Sequence, residues 1–429
     1  MIGNSFLLQA IFYLERNLKS LDIEFARSQF PALEYDDSEN KGFFENAGGS
    51  YMPKQVIDRL NRFHSQRRVQ PYWPFKSSTL AGQEMDEARV RMAALLNVPP
   101  DTLHFGPSTS QNTFVLANAF RDFVTKRNVI IVTNQDHEAN TGVWRRLGQH
   151  GYEIKEWEVQ KDTGQLILAD LEKLLDENVC LLTFPHCSNI IGEINPVKEI
   201  CLLAKKFGIL TCVDGVSFVP HSFPDISALG ADIYLFSSYK TYGPHLGLMY
   251  VDLDLNNRLP SQGHFFNESN PKKTLTPAGP DHAQIASVAG IVDYVELIDR
   301  HHFKETGDRN LGPVAKRVGK LQRDMEIVLL GPLMEFLNSR NDIRVLGNPE
   351  IKMELKVPTI SIDVGTRGEK IVNELERRGL MAGSGDFYSV RLLEALGVNL
   401  PAGVLRLSCV HYNKLDEIDS MVRALDEIL

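Results

Sequence analysis

No stretch of this 429-residue chain reaches the ~18 uninterrupted apolar residues that a membrane-spanning helix needs, so a membrane partner is not expected. A basic excess is missing too. The 46 Lys and Arg stand against 55 Asp and Glu, for a formal net charge of −9, and the sequence pI is about 5.8. That excludes nucleic acid as a main partner, because phosphate binding needs a basic face. The pairs Arg67-Arg68 and Lys272-Lys273 are too short to reverse this and read as solvated surface. Cysteine is scarce: five residues, at 180, 187, 201, 212 and 409, with no C-x-x-C pair. An odd, scattered set argues against a disulfide framework and points to reduced thiols, so a cytoplasmic location is expected. Cys180, Cys201 and Cys212 sit in apolar runs and read as core residues. Internal repeats, low-complexity segments and metal-ligand clusters are lacking as well. Near the start there is only a short apolar run, 6–14, interrupted by Gln9 and without a basic leader. It is expected to be a helix packed on the body.

What is present is ordinary globular material, 43% apolar and 24% charged, in a length that suggests two domains. Continuous apolar runs of strand length occur at 129–133 (VIIVT), 180–184 (CLLTF), 209–213 (ILTCV) and 233–236. Such runs suit strands buried on both faces of a parallel sheet. Helix candidates lie between or before them, at 84–96, 112–120, 140–150 and 197–207. The alternation predicts an α/β fold with a large, doubly wound, mostly parallel sheet domain. Beyond residue 300 the pattern changes. A long helical stretch, 311–337, contains Gly331-Pro332, which should bend or break it. Strand candidates at 343–346, 359–363 and 404–408, with helices at 370–378, 390–396 and 415–428, predict a smaller α+β domain. The expected division is 1–45 as an N-terminal segment packing with the small domain, 46–305 as the large domain and 306–429 as the small one.

Ligands of open α/β sheets gather where strands end at their carboxyl side. Asp214 follows ILTCV, and Lys240 follows the next strand in SSYKTYGPHLG, 26 residues later. An acid that keeps a pyridinium nitrogen protonated, beside a lysine that forms an imine, is the pair pyridoxal phosphate requires. A buried structural ion pair would show the same two residues. His137 follows VIIVT and could stack on a ring and pass protons. Ser108, Thr109 and Ser110 stand at a helix start that could bind phosphate or simply be capped. Asn189 follows CLLTF in PHCSNIIGEINPV, within reach of a phenolic oxygen.

These motifs together resemble the class V aminotransferases of the fold-type I pyridoxal-phosphate enzymes, and within them the cysteine desulfurase-like branch. The resemblance is carried by FARSQFPAL, FFENAGGS, DHEAN, SNIIGEINPV, VDG…PH, SSYKTYGPHLG and RLSCVHYN, in the family's order over nearly the whole chain. It implies Lys240 as the Schiff-base lysine, Asp214 as the pyridinium partner, His137 as the stacking histidine and Asn189 as the phenolate contact. Thr109, Ser237 and Tyr239, with Ser108 and Ser110, fall where the family holds phosphate. Arg406 matches the arginine that grips the substrate α-carboxylate, and Asn46 and Ala47 stand beside it at the substrate. A homodimer is also implied, with 70–75 and 274–282 reaching across to the other subunit, although an aromatic run such as Tyr72-Trp73-Pro74-Phe75 could equally be core.

Three departures matter. The stretch 381–404, where related desulfurases carry a sulfur-accepting cysteine, contains none; Cys187 and Cys409 are poor substitutes. Ser217 stands where a glutamine is common near the phenolic oxygen. Pro280 or its neighbours replace a threonine that reaches the partner's phosphate, a loss His282 or Gln284 could offset. The loop 383–403 is expected to line the entrance. The expected activity is C–S or related β-elimination on an amino acid through a Cα carbanion. A class V aminotransferase or an epimerase would use the same residues. A non-catalytic scaffold of the same fold would be marked by loss of Lys240 or Asp214, and both are present.

Overall fold

Seven strands build the main sheet, and their side chains alternate between two cores because successive residues of a strand face opposite ways. The computed structural model describes residues 20–35, 42–123, 126–279, 281–304, 306–349 and 352–429. The run 6–14 and Pro280 lie outside them. In chain order the strands are β1 (Gly42–Phe43), β2 (Leu103–Gly106), β3 (Val129–Thr133), β4 (Glu153–Trp157), β5 (Val179–Pro185), β6 (Leu210–Asp214), β7 (Ile233–Ser237), β8 (Gly247–Val251), β9 (Arg344–Val345), β10 (Thr359–Asp363), β11 (Leu380–Met381), β12 (Gly383–Gly385) and β13 (Val404–Ser408). The main sheet has the order β2-β8-β7-β6-β5-β3-β4. All its neighbours are parallel except those of β8, which runs antiparallel to both β2 and β7. Ile131, Val213, Tyr234 and Phe236 enter one core, while Ile130, Val132, Cys212, Ile233 and Leu235 enter the other. Both faces are therefore covered, as the unbroken apolar runs require. The fold is α/β.

Chain order reverses at β3, which has β4 on one side and β5 on the other. Loops after β3, β5, β6 and β7 consequently open on one crevice at the strands' carboxyl ends, where such sheets bind ligands. Two arginines brace the helices beside it. Arg59 pairs with Glu87 and Asp293, and Arg91 with Glu87, Asp293 and Glu296, tying the helices Lys54–Gln66, Lys76–Leu95 and Ala289–His302 together.

A second sheet, β12-β13-β10-β9, is wholly antiparallel and packs on its own apolar cluster, which includes Phe44, Leu329, Leu333, Ile360, Ile371, Leu405 and Leu425. The segment around β1 pairs in parallel with β11 as a separate two-stranded sheet, and its Phe44 enters the same cluster. Of the expected bend or break at Gly331-Pro332, the break does not occur. The helix runs Leu311–Ser339 with Pro332 inside, because Leu329, Leu330, Leu333 and Met334 on both sides of the proline are buried and outweigh its lost hydrogen bond. Among the described residues no helix is long and apolar enough to cross a membrane. Tyr72, Trp73 and Phe75 are 61%, 58% and 51% exposed, so the aromatic run is not core within one subunit.

Candidate active site

Each sheet strand that opens on the crevice delivers one polar group. After β3, Thr133 Oγ1 donates to Asp136 Oδ2 at 2.6 Å and Asn140 Nδ2 to Asp136 Oδ1 at 2.9 Å, which sets the turn. The turn places His137 as N-cap of the helix Glu138–Arg145, its Nδ1 accepting from the Ala139 amide at 3.1 Å. Burial, then the charges of Lys240 and Arg406, hold the His137 pKa down at about 3. The imidazole is therefore neutral, with its proton on Nε2.

At the end of β6, Asp214 Oδ1 accepts from the Val216 amide at 2.8 Å. Burial pushes its carboxyl up to about 6, against the lowering pull of that bond and of Lys240. After β7 comes Lys240, on the short turn Ser238–Lys240. Burial and Arg406 bring its ammonium down to about 8, while Asp214 and Glu45 oppose the shift. Its Nζ lies 5.9 Å from the Tyr239 ring centroid, and among the described residues it makes no hydrogen bond or ion pair. A buried amine without a partner is costly, and such groups mark functional sites more often than scaffolds.

The third corner is the start of the helix Thr109–Asp122. Ser108 caps it by accepting from the Gln111 amide at 3.1 Å, and Thr109 Oγ1 lies 2.8 Å from Ser237 Oγ. The helix can start there because residue 247 is glycine. A Cβ on Gly247 would come within 2.3 Å of the Ser108 carbonyl carbon and 2.5 Å of the Thr109 nitrogen. Tyr239 extends this corner and stacks on His245 at 4.7 Å.

Ser108, Thr109, Ser110, His137, Asn189, Asp214, Ser217, Ser237, Tyr239 and Lys240 all line one cavity of about 460 Å³. Three expected residues do not. Asn46 and Ala47 line a separate crevice of about 10 Å³ on the far side of Lys240. The Asn46 amide is taken up by the Phe43 and Ser408 carbonyls and by Tyr412. Arg406 is sealed behind Phe387, whose ring lies 3.7 Å from the guanidinium. Asn189 lines the cavity but is held by the loop after β12: its Nδ2 donates to the Phe387 carbonyl at 3.0 Å, and its Oδ1 accepts from Ser389 at 2.8 Å.

That loop also bonds the Glu138 amide through the Tyr388 carbonyl at 2.8 Å, and Tyr388 closes one side of the cavity. Phe387 and Tyr388 both have positive φ, 49° and 58°, which bulky residues rarely adopt. The loop's place at the entrance is legible in the sequence, but nothing there singles out these two residues. Glu45, Phe114, Glu138, Arg146 and His245 are equally silent. Glu45, Glu138 and His245 stand inside quoted motifs, so their positions are visible while their partners are not. All five cysteines are buried and unpaired. Burial raises Cys187 to about 12, Cys201 to about 12 and Cys180 to about 11, and holds Cys212 and Cys409 well above the usual thiol range.

A family model, Aminotransferase class-V, matches residues 42–309. The aminotransferase-like protein FGM3 of Gibberella zeae is 32% identical over 419 residues, covering 96% of this chain and 99% of its own length. A cysteine desulfurase of Serratia proteamaculans is 28% identical over 428 residues, covering 95% and 98%. Among solved structures, the apo cysteine desulfurase from Thermococcus onnurineus NA1 superposes with a TM-score of 0.81 at 21% identity, over 95% of this chain and 98% of that one.

Proposed function

The chain belongs to the class-V aminotransferase family, and on that premise we propose that it is a pyridoxal-phosphate enzyme that eliminates a sulfur-bound group from the β-carbon of an amino acid. The observation that carries the cofactor is Lys240: a buried amine with no hydrogen bond or ion pair among the described residues, in a cavity that also holds a buried carboxylate. The donor set fits pyridoxal phosphate at three points. Lys240 would meet the aldehyde, the free oxygen of Asp214 the ring nitrogen, and the helix start with Thr109 and Ser237 the phosphate. His137 would lie against the ring, and Asn189 and Ser217 near its phenolic oxygen. When bound, the cofactor supplies an aldehyde that captures amines and an electron sink for charge released at Cα.

The chain's own groups do the rest. Near pH 8 about half of Lys240 is a neutral base, ready to take the Cα proton at Nζ. Asp214 holds positive charge on the ring side of the cavity, where burial strengthens the attraction. Neutral His137 packs a face without adding charge. A β-thioether then gives pyruvate, ammonium and the thiol, with one water consumed. Of the five buried thiols only Cys187 lines the cavity, and burial pushes it up to about 12, so no reactive thiolate stands ready to accept sulfur. A leaving group that carries its own sulfur away needs no such acceptor, which favours elimination over persulfide chemistry. The FGM3 likeness keeps transamination as a second reading.

The test is the loaded enzyme against cysteine, cysteine S-conjugates and alanine. Pyruvate, ammonium and thiol in equal amounts from a conjugate are expected. A pyridoxamine product regenerated by a keto acid would replace this reading with transamination. Overpacking a closed contact costs ~1–3 kcal/mol, so Gly247→Ala is expected to weaken cofactor binding roughly tenfold. Titration by cofactor absorbance checks it.

The same proposal includes a homodimer in a reducing, cytoplasmic setting. Gln70 and His282 line one surface cavity together, beside the exposed Tyr72, Trp73 and Phe75. Trp73→Glu is expected to shift the molecular mass in light scattering from dimer toward monomer; an unchanged mass would place the interface elsewhere.

A further inference from the structure

Arg406, the residue expected to grip a substrate carboxylate, already holds one. Its Nη2 donates to Glu45 Oε1 at 2.6 Å and its Nη1 to the Asn189 carbonyl at 3.2 Å. Phe387 covers the guanidinium face, and only 3% of the Arg406 side chain is exposed. The pairing is nonetheless incomplete. Arg406 Nε and Glu45 Oε2 are both buried and have no hydrogen-bond partner. A fork that satisfies two N–H groups at once is the strong form of an arginine–carboxylate pair. Here one arm is made, and a donor and an acceptor are left over.

The room for Glu45 is built into the backbone. A Cβ on Gly48 would stand 2.6 Å from Glu45 Oε1, and one on Gly383 would stand 3.1 Å from Oε2. Neither glycine has a positive φ, so space, not backbone conformation, accounts for them. Gly383 is also the register partner of Arg406 across β12 and β13. Two bare positions thus clear the place where the Glu45 carboxylate meets Arg406.

We propose that Glu45 sets the affinity of the substrate-carboxylate site: it is the resident counter-ion of Arg406, and a substrate carboxylate binds by taking its place. This rests on the reading of Arg406 as the carboxylate site. Displacing Glu45 weakens the grip on every α-amino acid alike. Substrates whose β-substituent also fills the cavity beside Phe114, Arg146 and Tyr388 recover the loss. The penalty does not itself rank substrates, but it leaves firm binding only to those with contacts of their own, such as a cysteine conjugate with an extended sulfur substituent.

The probe is propionate, a carboxylate with no amine to condense, titrated calorimetrically into the cofactor-loaded protein. Glu45→Gln keeps the shape and removes the charge, so it is expected to bind propionate roughly tenfold tighter than wild type. The KM for cysteine should fall in the same variant more than kcat changes. Adding Arg406→Gln should erase the gain. If Glu45→Gln leaves affinity unchanged or lower while Arg406→Gln still weakens it, Glu45 is a structural partner only and the inference falls. If Arg406→Gln has no effect in either background, the carboxylate role of Arg406 falls with it. Glu45→Asp, which keeps the charge but retracts it by one methylene, covers the case in which the glutamine variant does not fold. It too should bind propionate more tightly, and an unchanged affinity overturns the proposal.

Discussion

Lys240→Met is expected to abolish turnover while making the cofactor-free protein more stable. The loss of activity follows from removing the amine that captures the cofactor and moves the Cα proton, and should exceed a thousandfold in kcat. The stability gain follows from burial. The folded lysine titrates at about 8, against 10.5 for the ordinary side chain, so at neutral pH the fold carries a charge it would rather shed. Each tenfold change in proton affinity is worth ~1.4 kcal/mol, which makes this a cost of about 3 kcal/mol. An imperfect fit of the methionine tip offsets part of it, leaving a gain of about 2 kcal/mol. For a chain of this length that is a midpoint rise of about 2 °C. The sign can be checked separately. Between pH 8 and 10.5 the unfolded chain binds the proton that the folded lysine has released, so wild-type stability rises with pH across that window relative to the methionine variant. A variant less stable at pH 7, or a difference that does not vary with pH, would mean that Lys240 is a structural cation.

Asp214→Asn is expected to lower kcat by at least about a hundredfold, the usual scale for deleting one charge-stabilising group in a closed site. The substitution is mild for the fold. The asparagine carbonyl can still accept from the Val216 amide, the bond that the Asp214 side chain accepts at 2.8 Å. What goes is the negative charge facing the ring nitrogen. The discriminating readout is spectroscopic: the cofactor should still bind, yet its absorbance should respond to pH as an unprotonated ring does. Wild-type absorbance together with a hundredfold loss would assign Asp214 some other task.

The strands that carry the chemistry were legible because both their faces are buried. VIIVT and the run 404–408 coincide with β3 and β13, and Asp214 closes β6 while Lys240 follows β7, both at apolar-to-polar transitions. Edge strands were not legible. In β4 only Trp157 is buried, so Glu153–Trp157 shows no apolar run to find. Strand β8 is wholly buried, but it follows the Gly-Pro turn of the lysine motif and was absorbed into it. The cavity residues could be found by proximity to strand ends, since local sequence determines which side chain follows which strand. Pairings between distant segments could not. Glu45 meets Arg406 across 361 residues, and Phe387 reaches Asn189 across 198, so nothing local to either partner announces the contact.

The two left-handed residues at 387 and 388 also decide how this enzyme can be altered. At these two positions the loop is held by main-chain carbonyls, at Phe387 by Asn189 and at Tyr388 by the Glu138 amide, so those two contacts do not depend on which side chains stand there. Its φ values do restrict the choice. Directed evolution of substrate scope at these two codons would therefore pass through a backbone filter before any selection for fit. Glycine, asparagine and aspartate tolerate the left-handed region, whereas valine and isoleucine do not. A full library there should return a few small or polar replacements among its folded members, and an enlarged entrance would be easier to reach than a reshaped apolar one.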